Sequence, residues 1–314
     1  RPIHYGPSAR IDQLDDALEI YSNDPRVLSL RAQIETYAIE DTDLPTLTDY
    51  RKWEEKSDKA GGPDYRARAA LAYHMLRINQ PYLALEAVNE SIEIQPSIYG
   101  LQMKLRILLE TLGDIPAAER FLDELPARAL NNEWIRAYSI LIDLWMNREK
   151  EALTKLERWP TKFIELGPLR GPVATQRGRA YLLSGKQLAA DLEFEVALEQ
   201  LEELLIDEPD RETVLGHKVV VLSYLGRIDE ARELLELHGQ LSDSANIAYE
   251  IYGKPKEDFF KHLARHIVDR GFFGLDYYHE AKYGPEYDQF RDDLEFQEIL
   301  KAGEEWVTEI NRKR

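Results

Sequence analysis

The chain has 314 residues, of which 44% are hydrophobic and 31% are charged. This is enough apolar material to bury a core, so the sequence is not that of a disordered tail. The 58 acidic residues outnumber the 40 basic ones and give a formal net charge of -18, which disfavours nucleic-acid binding because such a chain repels phosphate backbones. There is no cysteine, which excludes thiol catalysis, cysteine zinc sites and disulfides.

The sequence also indicates whether the chain inserts into a membrane and whether it belongs to a longer protein. No apolar run approaches the roughly 20 residues that span a bilayer, and no signal-peptide segment is recognisable, so membrane insertion is not predicted. The compartment stays undetermined, with the cytoplasm favoured over the periplasm. The chain begins at Arg1 without a methionine, and residues 1–7 contain two prolines and a glycine, which is typical of a linker. We therefore expect a fragment of a longer protein.

The N-terminal region, residues 1–63, is predicted to hold this linker and one degenerate helical hairpin. Apolar residues at helical spacing form one face between Ile11 and Tyr21 and a second face between Val27 and Ile34. The dipeptide of Gly61 and Gly62, followed by Pro63, marks a break before a more regular pattern begins.

The regular pattern is an internal repeat. Three alanines lie 34 residues apart, and a larger apolar residue follows each alanine four positions later. The pairs are Ala84 with Val88, Ala118 with Leu122, and Ala152 with Leu156. A small residue of this kind lets two helices approach closely, and the larger residue fills the space beside the contact. The sequence therefore predicts successive helical hairpins of about 34 residues.

The stretch from about Asp64 to Leu237 resembles five units of the tetratricopeptide repeat (TPR) family, and we assign residues 64–238 to it. The best single match runs from Gly178 through Tyr181 to Ala190 and Phe194. The resemblance implies an all-α fold, a right-handed α-α superhelix of TPR-like helical hairpins. It also implies a function in protein–protein interaction, with a peptide or partner protein held in a concave groove.

The repeat is irregular in its second half. Glycines at 113, 185 and 226 occupy the turns between paired helices, where a residue free to adopt positive φ is needed. The third turn lacks glycine and has Met146, Asn147 and Arg148 instead. From Ala152 the alanine spacing grows to 38 and then to 41 residues. We attribute the first increase to the proline- and glycine-containing loop before Pro172 and the second to a long helix that ends at Asp207.

Residues 239–314 are predicted to form a sixth, degenerate hairpin and an aromatic capping region. The aromatic residues are expected to cover the open end of the repeat array; they are Phe272, Phe273, Tyr277, Tyr278, Tyr283 and Tyr287. The segment from Phe290 to Leu300 resembles a phrase that closes TPR arrays fused to bacterial signalling or transcription regulators, although Leu294 replaces the usual proline. We expect the chain to be the sensory or adaptor part of such a protein.

No constellation of residues indicates catalysis, a metal site or a cofactor, so we predict that the chain is not an enzyme. His262 and His266 share a helix face, but no third ligand is evident, and both are interpreted as surface residues. Two alternatives stay open. One is an enzyme with its site in the irregular loop from Trp159 to Pro172 or in the C-terminal aromatic region. The other is a helical-repeat nucleic-acid binder.

The predicted first helices of the five units have a net positive charge, whereas the second helices are strongly negative. Because first helices line the groove of a TPR array, the resemblance implies a basic, partly aromatic peptide-binding face. Its predicted residues are Arg66, Tyr73, Arg77, Met103, Lys104, Arg136, Arg179, His217 and Tyr224. Such a face suits an acidic or carboxylate-terminated peptide, with Arg77, Arg136 and Arg179 as anchors. The alternative is that these nine are ordinary surface residues that bind no ligand. The sequence does not indicate the oligomeric state of the protein.

Overall fold

The computed structural model describes residues 15–24, 27–31, 52, 55–61, 64–77, 80–239, 241, 243–268 and 274–312. In these residues the chain is helical apart from turns and one pair of two-residue strands, which confirms the predicted all-α class. The chain divides into two compact units, residues 1–112 and residues 113–312. The boundary falls inside the stretch predicted to contain the five repeats.

Among the described residues, three helices of the first unit have nine or more residues. These are α1 (Tyr65–Arg77), α2 (Pro81–Ile94) and α3 (Ile98–Arg106), which continues as a π-helical turn over Ile107–Thr111. Pro81 opens α2, where its missing N–H costs no hydrogen bond. Residues 15–20 and 27–31 are helical as well. Ile11, Ile34 and the break after Gly61 lie outside the described residues.

The second unit is a series of helices with one small sheet. The helices are α4 (Ile115–Asp123), α5 (Ala127–Leu130), α6 (Glu133–Trp145), α7 (Glu149–Glu157), α8 (Val173–Leu183), α9 (Gln187–Asp207), α10 (Glu212–Tyr224), α11 (Ile228–His238), α12 (Asp243–Gly253), α13 (Lys256–Val268), α14 (Gly274–Tyr283) and α15 (Leu294–Arg312), with a 3-10 helix over Pro285–Phe290. The strands are β1 (Phe163–Ile164) and β2 (Gly171–Pro172), which pair antiparallel.

The alanines of the repeat lie at tight contacts between helices. All five are completely buried; they are Ala84, Ala118, Ala152, Ala190 and Ala231. Gly178, on α8, is another position where only a small residue fits. A Cβ placed there would lie 2.4 Å from Cε1 of Phe194. Both α8 and α9 therefore approach each other too closely for a side chain at this position. The sequence interpretation of these small residues is confirmed.

The turns inside the hairpins share one backbone conformation. Gly113, Gly185 and Gly226 have φ angles of 64°, 69° and 70°, as predicted. In the third turn Asn147 takes the same left-handed conformation with φ 55°, which asparagine tolerates better than other residues with a side chain. The residues after Asn147 and Gly185 each donate a backbone N–H to the carbonyl five positions earlier, at 2.8 and 3.0 Å. This is a Schellman ending.

Both predicted irregularities are present in the second unit. The longer interval after Ala152 contains the segment 158–172, which folds as a small hairpin with β1 and β2 rather than as an open loop. The next interval contains α9, whose 21 residues end at Asp207 as predicted. The extra residues therefore extend individual hairpins without disturbing the neighbouring helix pairs.

The C-terminal aromatic residues build a core of their own. Tyr278 and Tyr287 are buried with Phe259, Phe260 and Phe296 in one cluster, which agrees with a packing role. Tyr277 and Tyr283 are half-buried, while the predicted capping residues 272 and 273 lie outside the described residues. The exposed Leu294 occupies the first position of α15, where a proline is also well tolerated.

A search of the described helices found none that is both long enough and apolar enough to cross a membrane.

Candidate functional site

The segment 158–172 forms a structured flap between α7 and α8 that packs along the N-terminal half of α6. Its hairpin is held by β1 and β2 and by a hydrogen bond of 3.2 Å from Trp159 Nε1 to the Phe163 carbonyl. Glu133 Oε1, at the start of α6, accepts hydrogen bonds from the backbone N–H groups of Glu165 and Leu166, at 2.6 and 3.2 Å. Side chains of the flap are thereby fixed relative to those of α6.

Two arginines lie against tryptophan rings where the flap meets α6. The guanidinium of Arg136, on α6, lies over the ring of Trp159 at 4.4 Å from its centroid. Arg170, on the flap, lies 5.8 Å from the ring centroid of Trp134 on α6. Each contact joins the flap to the helix, and each holds a guanidinium on an aromatic face. We refer to Trp134, Arg136, Trp159 and Arg170 together as the Arg–Trp surface.

The cations of the Arg–Trp surface have no acidic partner among the described residues. No carboxylate there lies within ion-pairing distance of Arg136 or Arg170. Cations on the following first helices are paired instead: Arg177 lies 3.8 Å from Glu193, and Lys218 lies 3.0 Å from Glu202. In a chain with a net charge of -18, this surface therefore holds two arginines that lie on aromatic rings and pair with no carboxylate of the described residues.

His217, on α10, borders the same flap. The Cβ position of Gly171 lies 3.0 Å from its Nδ1, so the imidazole packs directly on β2. Burial, together with the charge of Arg170, lowers the pKa of His217 to about 4. The side chain is therefore neutral at pH 7 and contributes hydrogen-bonding capacity to the surface rather than charge.

A second group of polar residues is buried between α8, α10 and the 3-10 helix. Arg179 Nη2 lies 2.6 Å from Glu286 Oε1, and both side chains are about nine-tenths buried. The Tyr224 hydroxyl donates to the same carboxylate oxygen at 2.7 Å. Burial alone would lower the pKa of Arg179, but attraction to Glu286, Tyr224 and Glu280 more than offsets it and raises the pKa. Arg179 therefore stays protonated.

This buried pair is connected to the flap by side-chain hydrogen bonds. Arg179 Nη1 donates to Gln176 Oε1 at 3.1 Å, and Gln176 Nε2 donates to the Leu169 carbonyl at 3.4 Å. Leu169 is almost fully buried and immediately precedes Arg170. The chain of contacts thus runs from Glu286 in the C-terminal region to the base of the Arg–Trp surface.

Glu280, on α14, is half-buried beside this group and has an unusual pKa. Burial raises its pKa to about 7, and repulsion from Glu286 and Asp276 adds to the effect while Arg179 opposes it. Because the ordinary glutamate pKa of 4.5 applies to the unfolded chain, folding favours the protonated form. The stabilisation is complete below about pH 4.5 and is lost as the pH rises toward 7.

We expect the free energy of unfolding to fall between pH 5 and pH 8 by on the order of 2 kcal/mol because of Glu280. The variant Glu280→Gln keeps a neutral side chain at every pH, so this part of the pH dependence should disappear. The exposed Glu257 on α13 supplies the control Glu257→Gln, which should retain the wild-type profile. Denaturant titrations at several pH values measure the difference; a wild-type profile in Glu280→Gln would contradict the assignment.

The structure places the predicted groove residues in different surroundings. In the first unit, Met103 is buried in the helical core, Tyr73 packs against that core, and Lys104 is half-buried. Arg66 is exposed, and its Nε donates to the Tyr65 hydroxyl at 3.0 Å. Nothing is described of the Arg77 side chain.

The second unit contains the remaining four predicted residues. Arg179 and Tyr224 meet on one oxygen of Glu286, so the chain itself supplies the carboxylate that was expected from a ligand. Of the predicted anchors whose side chains are described, Arg136 meets no carboxylate of the described residues, and its Nη2 donates to the Arg158 carbonyl at 3.3 Å. His217 lies at the edge of the flap near Arg170.

Several residues of the site were not predicted from the sequence. Arg170 and Trp159 lie in the segment that had been considered only for an enzyme site, and their arrangement depends on the hairpin inside it. Glu286 lies in the aromatic region and carries no periodic signal. Within the residues described, no group of three or more histidines or acidic residues could hold a metal ion. His262 instead faces Glu250 at 3.4 Å.

No protein-family model matches the chain, and no solved structure matches it either.

Proposed function

We propose that the chain is a protein–protein interaction module of the TPR type, a right-handed α-α superhelix, that binds an acidic segment of a partner protein at the Arg–Trp surface. We propose further that it is the sensory or adaptor part of a larger bacterial regulatory protein. The buried alanines and the left-handed hairpin turns support the assignment to the repeat type. The observation that carries the binding proposal is the pair of arginines held on tryptophan rings without a carboxylate partner in the described part of the chain.

The chemistry of this surface suits carboxylates. A guanidinium that lies on an aromatic ring keeps N–H donors at its edge, and these can form two parallel hydrogen bonds to one carboxylate. Ring contact also restricts the side chain before a ligand arrives, which reduces the entropy lost on binding. A partly desolvated hydrogen bond to a charged group contributes about 1.5–3 kcal/mol to binding. An exposed ion pair contributes less than about 1 kcal/mol.

The test is a titration of acidic peptides against the double variant Arg136→Ala/Arg170→Ala. We expect affinity to fall by roughly 10- to 100-fold, since about 1.4 kcal/mol corresponds to a factor of ten. Binding to the wild type should also weaken as salt rises. Fluorescence anisotropy with labelled peptides rich in aspartate and glutamate gives the affinities.

The matched control is Arg128→Ala/Arg265→Ala, which removes the same charge from two exposed arginines without an ion-pair partner in the described residues. It should bind the peptides like the wild type. Equal losses in both double variants would mean that only the net charge matters, and the proposed site would be wrong. The variant Arg136→Lys separates charge from geometry, because lysine keeps the charge but cannot form the planar double contact.

A further inference from the structure

The longest hairpin helix of the second unit has apolar side chains on its solvent side. Along α9, Leu188, Leu192 and Val196 follow one another at four-residue spacing and are 76%, 62% and 43% exposed. Ile206, near the end of the same helix, is 79% exposed. At 100° per residue these side chains fall on one side of the helix. We refer to Leu188, Leu192 and Val196 as the α9 row.

The α9 row is separate from the face that α9 uses for folding. The buried residues of the helix, among them Ala190, Phe194 and Leu201, are completely enclosed in the core. Single exposed leucines are common on protein surfaces and require no explanation. Three in succession on one helix, opposite an intact core face, form a contiguous apolar patch of the kind that marks interaction sites.

Acidic residues continue this patch toward the C-terminal end of α9. Glu195, Glu199, Glu202 and Glu203 project from the same side of the helix and are exposed. Glu202 is paired with Lys218, whereas Glu199 and Glu203 have no ion-pair partner among the described residues. The exposed side of α9 therefore carries the α9 row in its first half, interrupted by Glu195, and is mainly acidic from Glu199 to Glu203, with the exposed Ile206 beyond.

We propose that the α9 row is a docking surface for a basic amphipathic helix of a partner protein, distinct from the Arg–Trp surface. Leucine-like side chains of that helix, three or four residues apart, would cover the row, and its lysines or arginines would meet Glu199 and Glu203. The length of α9, 21 residues or about 31 Å, accommodates several turns of such a helix. A second copy of this chain is a poorer occupant than a basic helix, because its α9 has glutamates where a partner with lysines or arginines could pair with Glu199 and Glu203.

The probe is a synthetic peptide of about 18 residues with leucines at helical spacing and lysines on the opposite face. Its affinity is compared in isothermal titration for the wild type and for Leu188→Ser/Leu192→Ser. We expect a loss of at least about tenfold in the variant. A peptide of the same composition, permuted to remove the amphipathic pattern, should bind at least about tenfold more weakly than the probe.

The matched control is Leu237→Ser/Leu294→Ser, because these two leucines are equally exposed on other helices, at 76% and 77%. It should bind the probe within about twofold of the wild type. Equal affinity of the wild type and the α9 variant would overturn the proposal, since attraction would then be purely electrostatic. Concentration-dependent dimers of the wild type that vanish in Leu188→Ser/Leu192→Ser would overturn it in favour of self-association.

Discussion

Replacing Arg179 by methionine is expected to lower the free energy of unfolding by about 3–5 kcal/mol. The substitution leaves the Glu286 carboxylate buried with only the Tyr224 hydroxyl as a hydrogen-bond donor to Oε1. Glu286 Oε2 is already buried without a hydrogen-bond partner in the described part of the chain, so no other group compensates the lost charge. Denaturant titration followed by circular dichroism measures the change.

The control for this substitution is Arg177→Met on the same helix. Arg177 is half-buried, and its contact with Glu193 is longer, at 3.8 Å, so its removal should cost less than about 1 kcal/mol. The double variant Arg179→Met/Glu286→Met should recover much of the loss, because apolar groups of similar size replace a buried ion pair at little cost. Arg179→Met and Arg177→Met with equal stabilities would show that burial does not strengthen the pair.

Truncation of Phe194 to alanine is expected to lower the free energy of unfolding by about 3–5 kcal/mol as well. The ring is fully buried and stacks on Tyr224 with centroids 4.6 Å apart, and its loss would open a cavity between α8 and α9. Leu188→Ala on the exposed side of α9 serves as the control and should change stability by less than about 0.5 kcal/mol. Thermal and denaturant unfolding of both variants provide the comparison.

The substitution Gly178→Ala tests the contact between Gly178 and Phe194, because the sign of its effect on the free energy of unfolding should depend on whether the ring is present. In the wild type, Gly178→Ala should destabilise by about 1–3 kcal/mol, because its Cβ would lie 2.4 Å from the ring. In Phe194→Ala the ring is gone, and the same change should stabilise by up to about 1 kcal/mol, since alanine is the better helix former. A stabilising effect in both backgrounds would contradict the packing described for α8 and α9.

The helices and their hairpin turns could be predicted from the sequence because their signals are local. The first three buried alanines recur every 34 residues, and each turn needs a residue that tolerates positive φ. Asn147 illustrates how far such reasoning extends: the glycine is missing, yet asparagine is the next residue to expect in that conformation. The end of the long helix α9 at Asp207 was likewise located in an irregular unit.

The surroundings of the predicted binding residues could not be obtained in this way. Periodicity assigns Arg179 to a first helix, but it does not indicate which group the guanidinium meets. Its partner Glu286 lies in a region without repeat spacing, and the contact depends on how the C-terminal aromatic core packs back on α8. The Arg–Trp surface likewise depends on a hairpin of only two residues per strand, which is too short to give an alternating pattern.

The contact between Tyr224 and Glu286 joins residues that are 62 positions apart in the chain, and Arg179 lies earlier still. During synthesis α8 and α10, which carry Arg179 and Tyr224, therefore leave the ribosome well before Glu286. Until then the guanidinium can remain hydrated only if the helices around it stay loosely packed. We therefore expect the second unit to reach its final packing only after residue 286 has emerged, with a late, long-range contact rather than sequential addition of hairpins as the last step.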